Sequence, residues 1–492
     1  MKKFISVILT AALLISSMSV LAFAVQQNDY IITNPYADVD WDTVNTYKTQ
    51  LHCHTTASDG YLTIKESIQG HYDLDYDIVA ITDHGTVNKG WNEAPDLVDL
   101  IRLVKKERTK MAPIIPLSDE EYISFTTGTA ETTNGTERTH STGMTDVPKG
   151  IELNMATPVA DCHLTGYYSD YGQGLAGVFG DYETPSAGVR KAGGISMLAH
   201  IGEYVYTDKD SADHVGQKVD EYYVNKFARL FLDNAGSSVG MGINSATDEH
   251  TRCDRILYDQ ILQKTIPNGV VPWGFTFSDS HNETSLNDAY TMMLMPDNSA
   301  EALRKCMEKG EFFSISHYSN GYELNGMQEI PGYDADKVDY MSNATPMVTR
   351  LTVDEENNKI YIEGVNFDMI TWVSNGNVIL REENITDGKA VLDLHSAELL
   401  DTPELFVRFY LTGKDGICYS QPMVLQKAGE EFTPVFVPET HDISTRLRTL
   451  VTVLDWLIFK WSPFVWAFKY FALGYDPIKQ VMNDVNSVFT GG

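Results

Sequence analysis

Two segments near the start of the chain carry residues whose types and spacing suit metal chemistry. His52 and His54 flank one residue in LHCHTTASDG, and in a strand over residues 47–54 both imidazoles would leave the same face, because side chains alternate along a strand. Asp59 follows in a Ser-Asp-Gly turn, and DIVAITDH indicates a buried strand that ends in Asp83 and His84. Four ligand-type side chains at the ends of neighbouring strands could bind metal ions together.

Further residues of this kind stand in or just after later hydrophobic runs. They are Glu152 in GIEL, His163 in CHLTGYY, His200 in GISMLAH, and Asp279 with His281 in GFTFSDSH. A single buried histidine is more often a hydrogen-bonded core residue than a ligand. As an ordered set, which holds six of the chain's 13 histidines, these residues suit two or three divalent ions with nitrogen and oxygen ligands and little sulfur. Among the other histidines, His317 in FFSISHYS has the most suggestive context.

The elements that position these residues alternate between apolar runs and helix-like stretches, a pattern typical of βα units. A barrel of parallel strands is the most economical fold, with the ligand-type residues on the one rim where catalytic residues gather. Strands are predicted at 47–54, 77–82, 113–116, 162–167, 194–200, 240–244, 272–278 and 290–295. The clearest helix is 298–309, with Asn298 or Ser299 as N-cap and Gly310 as its end.

Two stretches differ in composition and hydrophobic pattern from the predicted barrel. Residues 124–149 are rich in Thr, Ser and Gly and predict a long surface loop, in which Arg138 and His140 are expected to be solvated, although they could reach a substrate. Residues 346–428 form short alternating segments separated by Asn-Gly and Asp-Gly turns, which predicts a small all-β sandwich. The sandwich shows no chemistry of its own, so bracing the barrel is its expected role, ahead of carbohydrate or surface binding.

Length and charge restrict the class of protein. A chain of 492 residues is too long for one ordinary core, so two or more domains are expected. The net charge is −31, from 37 basic and 68 acidic side chains, which argues against binding long nucleic acid through Lys and Arg. If the substrate is anionic, bound metal must supply the attraction.

The N-terminal residues 1–24 have the features of a secretory signal peptide: two lysines, an apolar run and Ala-Phe-Ala. The alternative, an uncleaved anchor, is less favoured because the apolar run is short for a membrane span. We therefore expect an exported protein, either secreted or attached to the cell surface. The five scattered cysteines are unlike a disulfide-dense scaffold, and Cys53 and Cys162 are read as small buried side chains rather than ligands.

The C-terminal residues 444–492 predict an aromatic-rich helical tail after a proline-containing linker at 429–443. The charges and Pro463 argue against a spanning helix. Its Trp, Phe and basic residues suit contact of 444–470 with a membrane surface, whereas a helical hairpin docked on the protein or on a second subunit is an equal alternative. Deleting 444–492 should release the protein from liposomes if the first interpretation holds.

From about residue 48 to 318, the chain resembles the PHP (polymerase and histidinol phosphatase) family of metal-dependent phosphoesterases. The family's HxH motif is similar to His52 and His54, its following acid to Asp59, and its TDH motif to Thr82, Asp83 and His84. The later family residues are similar to Glu152, His163, His200, Asp279 and His281. The chain differs from the family in Ile201, where a proline is frequent, and in its long insertion before Glu152.

The resemblance implies an α/β fold whose core is a distorted seven-stranded (β/α) barrel of PHP type. Composition and pattern add the other segments, so the expected domains are a signal peptide at 1–24, a lead-in at 25–46, the barrel at 47–320 with its insertion loop at about 124–149, the sandwich at 346–428, the linker at 429–443 and the helical tail at 444–492. The resemblance also implies one metal ion at His52, His54, Glu152 and Asp279, a second at Glu152, His163 and His200, and a third at Asp59, His84 and His281. Asp279, Glu152 and His84 are the implied catalytic residues, and the ions are Zn, Mn or Fe.

The function expected from the sequence is metal-dependent hydrolysis of a small-molecule or oligomeric phosphoester, in which divalent ions activate a water molecule. Exported relatives with a similar layout suggest a second hydrolase class, which cleaves carboxylic or carbamic esters and amides. A third class is a non-catalytic exported module that keeps metals for stability or adhesion. Substrate contacts are less defined, with Lys89, Arg190 and Arg252 as candidates, and Asp83 could orient an imidazole or only cap a turn.

Overall fold

The computed structural model describes residues 29–95, 113–156, 161–172, 182–205, 219–244, 253–317 and 341–439, and these form a mixed α/β structure. The strands are β1 Tyr30–Thr33, β2 Asn45–Gln50, β3 Ile78–Val79, β4 Thr145–Asp146, β5 Ile151–Ala156, β6 Asp161–Tyr167, β7 Ile195–Leu198, β8 Ser238–Gly242, β9 Trp273–Phe275, β10 Ala289–Met295, β11 Phe312–Ser316, β12 Met347–Asp354, β13 Lys359–Val365, β14 Met369–Ser374, β15 Asn377–Glu383, β16 Lys389–Asp393, β17 Phe406–Gly413, β18 Gly416–Tyr419 and β19 Met423–Lys427. The α-helices are α1 Ile64–Asp73, α2 Asp119–Thr127, α3 Glu183–Lys191, α4 Glu221–Asp233, α5 Asp254–Thr265 and α6 Ala300–Lys309.

A large sheet carries the first ligand-type residues. Its strands follow the order β1-β19-β17-β18-β11-β10-β2-β3-β4, and β14 with β15 attaches to β17. Strands β2, β3 and β4 are parallel, so His52 and His54 beyond β2 and His84 beyond β3 lie at one edge. Strand β10 runs antiparallel to both β2 and β11 and closes the other side of this group.

A five-stranded sheet, β5-β6-β7-β8-β9, carries the remaining ligand-type residues. Strands β7, β8 and β9 are parallel, whereas β5, β6 and β7 pair antiparallel. Only four residues separate β5 from β6, and a parallel pair needs a crossover of a dozen residues or more, so these strands must run in opposite directions. The sequence prediction of an all-parallel barrel is wrong for these two pairs.

The two sheets meet at the ligand-bearing edge through two single parallel bridges, Cys53 with Ser280 and His84 with Glu152. Among the described strands no closed barrel forms, so the predicted seven-stranded barrel is not confirmed, although the α/β class is. The ligand-bearing segments are nevertheless held together from both sheets.

Helix prediction succeeded where the end signals were clear. Helix α6 begins after the N-cap Ser299 and ends at Gly310, whose positive φ of 76° suits glycine. The predicted loop at 124–149 is wrong at both ends, because its first residues complete α2 and its later residues contain β4. A capping box of Ser118 and Glu121 starts α2 in a segment without apolar periodicity. The predicted strand at 113–116 is irregular in the structure.

The strands predicted for residues 346–428 form, but in an unexpected arrangement. Strands β12, β13 and β16 make a separate three-stranded sheet, while β14, β15, β17, β18 and β19 belong to the large sheet. The lead-in at 25–46 contains β1, which pairs with β19. Arg408 on β17 also forms a buried two-bond ion pair with Asp259 on α5, at 2.9 and 2.8 Å. The C-terminal strands are therefore continuous with the sheet that carries the site.

The predicted signal peptide and the C-terminal tail lie outside the described residues, as does the end of the predicted linker. Within the part of the chain that the structure describes, no helix has the length and apolar character needed to cross a membrane.

Candidate metal centre

The structure brings all nine predicted ligand residues together at the meeting edge of the two sheets. Their ligand atoms form overlapping groups in which every atom lies within 4.8 Å of the others. The groups are His52, His54 and Glu152; His52, His200 and Asp279; Glu152, His163 and His200; and His54, Asp59, His84 and His281. The first two groups together contain the residues predicted for the first ion, with His200 in addition, the third matches the second ion, and the last adds His54 to the residues predicted for the third ion.

The two histidines after β2 form the floor of the site. Both are buried, and their Nε2 atoms approach the same carboxylate oxygen, Asp279 Oδ1, at 3.3 Å for His52 and 3.0 Å for His54. The other ring nitrogen of each is held by a hydroxyl group: His52 Nδ1 lies 2.7 Å from Thr82 Oγ1, and His54 Nδ1 lies 3.2 Å from Ser58 Oγ. The rings are thereby fixed at one end while the other end faces the centre.

Glu152 on β5 occupies the middle of the cluster and is fully buried. Five imidazoles have a nitrogen within 3.6 Å of its carboxylate. The distances are 3.6 Å from His52 Nε2, 2.7 Å from His163 Nδ1 and 3.5 Å from His200 Nε2 to Oε1, and 3.2 Å from His54 Nε2 and 2.9 Å from His84 Nδ1 to Oε2. A carboxylate shared in this way can bridge two ions.

The group around Asp59 lies on the other side of His54. Asp59 Oδ1 is 3.6 Å from His84 Nε2, and Asp59 Oδ2 is 3.3 Å from His281 Nε2. His281 Nδ1 lies 2.8 Å from the carbonyl oxygen of Asp279, which can only accept a hydrogen bond, so Nδ1 carries a proton. If the ring is neutral, its Nε2 lone pair then faces a carboxylate oxygen, and a metal ion between the two would relieve their repulsion.

Backbone hydrogen bonds lock the ligand-bearing segments to one another. His54 N donates to Ser280 O at 2.9 Å, Gly85 N to Glu152 O at 2.8 Å, and Tyr61 N to His281 O at 2.7 Å. His200 and Asp279 both have positive φ, at 27° and 50°, a region that side chains other than glycine rarely adopt. Such strain is concentrated at functional sites, where the surrounding structure enforces it.

Burial and charge oppose one another at the centre. Burial would raise the pKa of Glu152, but the surrounding imidazoles, His84 foremost, hold this pKa well below its usual range. Burial would lower the pKa of His84, whereas Glu152 and Asp59 raise it to about 9, and the pKa of His54 is raised well above its usual value by Asp279 and Glu152 despite burial. Burial lowers the pKa of His52 and of His163, so the protons that a metal ion would have to displace are those of His54 and His84.

Several buried ligand atoms make no hydrogen bond to any described residue. They are the Nε2 atoms of His52 and His54, Nδ1 of His84, both carboxylate oxygens of Glu152 and Oδ1 of Asp279. Unpaired buried polar atoms are costly, and native proteins leave few of them unless an ion or a water satisfies them. Imidazole nitrogens and carboxylate oxygens without sulfur suit Zn, Mn or Fe, so the residues fit the predicted ions.

The other candidates from the sequence lie elsewhere or make structural contacts. Arg138 and His140 bind Asp77 at 3.3 and 3.1 Å, at the start of β3 and away from the site. Arg190 donates to the carbonyl oxygen of Asp233 at the opposite end of β7, and Lys89 is exposed. Arg252 lies outside the described residues.

His317 is a hydrogen-bonded core histidine. Its Nδ1 donates to the carbonyl oxygen of Asp415 at 2.8 Å, and its Nε2 accepts from Asn287 Nδ2 at 3.2 Å. It does not belong to the cluster.

Sequence reasoning missed the residues that hold the ligands in place. Thr55, Ser58 and Thr82 are buried hydroxyl residues that bind Asp83 or a ligand imidazole, and Asp83 itself touches no imidazole. The only signal for them was their position beside the HxH and TDH motifs, because serine and threonine are common in loops.

No family model matches the chain, and no curated protein matches it. One similar solved structure is a two-domain protein from Bacteroides vulgatus, named as containing a predicted PHP-like metal-dependent phosphoesterase (13% identity, 79% of this chain and 97% of that chain covered, TM-score 0.36). Another is a putative metal-dependent phosphoesterase from Bifidobacterium adolescentis, with 14% identity, 48% of this chain and 88% of that chain covered, and a TM-score of 0.26. A further one is an amidohydrolase from Chromobacterium violaceum, with 14% identity, 47% of this chain and 87% of that chain covered, and a TM-score of 0.26. Structures named as PHP-like and metal-dependent phosphoesterases are thus among those the chain is similar to, and at these scores the function must rest on the site itself.

Proposed function

We propose that the chain is a metal-dependent hydrolase that cleaves a phosphoester. The observation that supports the proposal is the convergence of nine ligand-type side chains around the buried carboxylate of Glu152. The four overlapping groups provide room for two or three divalent ions. Glu152 belongs to the group with His52 and His54 and to the group with His163 and His200, and His54 also belongs to the group around Asp59.

The exposure of the ligands favours a catalytic site over a structural one. Structural metal sites are closed by protein ligands, whereas catalytic sites keep a position open for water and substrate. The side chains of His163, Asp279 and His281 remain 20%, 17% and 30% exposed, while those of His52, His54 and Glu152 are fully buried. The partly exposed side chains mark an open side, through which a substrate would enter.

When bound, the ions would polarise the phosphoryl oxygens and lower the pKa of a water molecule from about 16 towards about 7. The residues of the chain would hold and orient this assembly. Asp279 Oδ1 lies between His52 and His54 at the open side, so it would help to place the reacting groups. The backbone bond from His281 Nδ1 keeps that ring turned towards Asp59, and the buried floor excludes bulk water from the ligands.

The choice of a phosphoester depends on the resemblance of the sequence motifs to the PHP family, since the site chemistry alone also suits esters and amides. A phosphoester substrate is anionic, and the chain carries a net charge of −31. The imidazoles and the ions they hold would therefore have to supply the local positive charge.

Hydrolysis by the purified, metal-reconstituted protein tests the proposal. The substrates are a chromogenic phosphate monoester, a phosphate diester, a carboxylic ester and an anilide, each with the Asp279→Asn variant alongside. We expect phosphoester turnover that falls at least about 100-fold in the variant, because that variant removes a charge placed at the reacting centre. Glu301→Gln, which removes an exposed carboxylate on α6, should keep the activity of the wild type.

Other outcomes discriminate among the alternatives. Turnover of only the ester or the anilide would move the protein to the ester and amide hydrolases. Metal binding without turnover of any of the four substrates would favour a non-catalytic metal-binding module. Phosphoester turnover that Asp279→Asn leaves intact would identify a contaminating phosphatase and contradict the proposed role.

A further inference from the structure

A chain of hydrogen bonds connects a buried carboxylate to the ring of His54. Asp83 Oδ1 accepts from Ser58 Oγ at 2.5 Å, and Ser58 Oγ lies 3.2 Å from His54 Nδ1. All three side chains are at most 2% exposed, so water does not compete for these bonds.

The direction of these bonds follows from counting protons. Asp83 also accepts from Thr55 N at 2.8 Å and from Thr55 Oγ1 at 2.6 Å, so both of its carboxylate oxygens serve as acceptors. The single proton of the Ser58 hydroxyl therefore points to a carboxylate. The other possible acceptors among the described residues, His54 Nδ1 at 3.2 Å and Asp59 Oδ1 at 3.4 Å, are much farther away than Asp83 Oδ1 at 2.5 Å. Towards His54, Ser58 Oγ can only accept.

The direction of these bonds determines which ring nitrogen of His54 carries a proton. Because Ser58 Oγ accepts, His54 Nδ1 must donate, and Nδ1 keeps its proton whether the imidazole is neutral or charged. The proton that a metal ion displaces is then the one on Nε2, which faces Glu152 Oε2 at 3.2 Å and Asp279 Oδ1 at 3.0 Å. The ring cannot turn to present Nδ1 to the ions without losing its bond to Ser58.

We infer that Ser58 and Asp83 form a positioning relay that fixes His54 as an Nε2 ligand of the metal centre. The inference rests on the proposed function, because it needs a bound ion. It gives a positioning role to two residues that belong to none of the ligand groups. Partners of this kind, hydrogen-bonded to a ligating histidine, set which nitrogen binds and typically contribute 10- to 100-fold to metal affinity.

Thr55 provides a matched control. Thr55 and Ser58 each donate a hydroxyl proton to Asp83, and both are fully buried. Thr55 Oγ1 also accepts from Ala57 N at 3.1 Å, so Thr55→Val removes two hydrogen bonds of the loop, as many as Ser58→Ala removes apart from its contact with His54. Of these two hydroxyl groups, however, it is that of Ser58 which contacts the ring of His54.

The test uses the full chain loaded with zinc. Competition with a chromogenic chelator measures zinc affinity in the wild type, in Ser58→Ala and in Thr55→Val. Spectra of protein labelled with ¹⁵N-histidine report which nitrogen of His54 carries a proton and which binds zinc, with the signals assigned by a His54→Gln variant. This spectroscopic readout does not change if Ser58 only supports the loop.

We expect His54 of the wild type to bind zinc through Nε2 and to keep a proton on Nδ1. Zinc affinity should fall 10- to 100-fold in Ser58→Ala and by less than about threefold in Thr55→Val. Zinc bound through Nδ1 of His54 in the wild type, or equal losses in the two variants, would overturn the relay while leaving the hydrolase proposal intact. A wild-type protein that binds no zinc, manganese or iron would overturn the proposed function and the relay with it.

Discussion

Glu152→Gln is the perturbation that tests the metal centre most directly. The carboxylate lies at the centre of the cluster, is fully buried and has nitrogens of five imidazoles within 3.6 Å. Glutamine keeps the shape of the side chain, removes its negative charge and replaces one acceptor oxygen with an amide that only donates. Both groups of ligands that share Glu152 lose their common anionic member.

The size of the effect follows from electrostatics. Two unit charges about 4 Å apart interact with about 4 kcal/mol at the effective dielectric of about 20 that describes protein sites. Loss of one such interaction with a divalent ion therefore weakens binding by a factor of roughly 10³ or more, since about 1.4 kcal/mol corresponds to a factor of ten. We expect bound metal to fall by the two ions that Glu152 contacts, while the ion at Asp59, His84 and His281 is retained.

Metal content after dialysis, measured by plasma mass spectrometry, and chelator competition provide the assay. Glu301→Gln removes the same charge from an exposed position on α6 and should leave content and affinity unchanged. Far-ultraviolet circular dichroism checks that each variant is folded. A Glu152→Gln protein that keeps the wild-type metal content, with affinity within tenfold, would refute the assignment of Glu152 as a shared ligand.

Four further predictions concern stability. In Gly60→Ala, the new Cβ would lie 2.5 Å from the carbonyl carbon and oxygen of His54, so urea denaturation should show a loss of about 2–3 kcal/mol, and a neutral result would contradict the close packing. Burial raises the pKa of Asp146 to about 7, so its folded form holds a proton that its unfolded form has lost; stability should fall between about pH 4 and pH 7, by less than about 1.4 kcal/mol per unit because the residue is partly exposed, and this slope should vanish in Asp146→Asn. Arg408→Met leaves Asp259 charged and buried, which should cost about 3–5 kcal/mol that the double variant with Asp259→Leu largely restores. Chelation should lower the melting temperature, since an ion at 100 times its Kd stabilises by about 2.7 kcal/mol, and an unchanged melting curve would argue against bound metal.

The ligand residues could be predicted because their signals are local. His52 and His54 flank a single residue just beyond β2, which ends at Gln50 and not at the predicted residue 54, and His84, His200 and Asp279 follow short hydrophobic runs. Helix α6 was predictable for the same reason, since its cap and its glycine end lie within the helix's own sequence. Each of these inferences depends on residues close together in the chain.

The pairing of distant segments could not be predicted in this way. Strand β1 pairs with β19, with Tyr30 opposite Lys427, and the ion pair of Arg408 and Asp259 joins residues 149 apart. The antiparallel direction of β5 and β6 was accessible from the short connection between them, but the apolar runs alone predicted only strands. Helix α2 was overlooked because its capping box, and not an apolar stripe, specifies its start.

The site also contains positions where local rules fail for a physical reason. Positive φ is uncommon for residues other than glycine, yet His200 and Asp279 both adopt it in the turns that bring their side chains into the cluster, where His200 approaches Glu152 and Asp279 approaches His52 and His54. The relay was only partly predictable: Asp83 was a candidate for orienting an imidazole, but its link to His54 through Ser58, 25 positions away in the chain, was not. A motif search identifies side chains that can touch an ion. Which nitrogen of each imidazole does so is decided by neighbours that only the folded chain brings together.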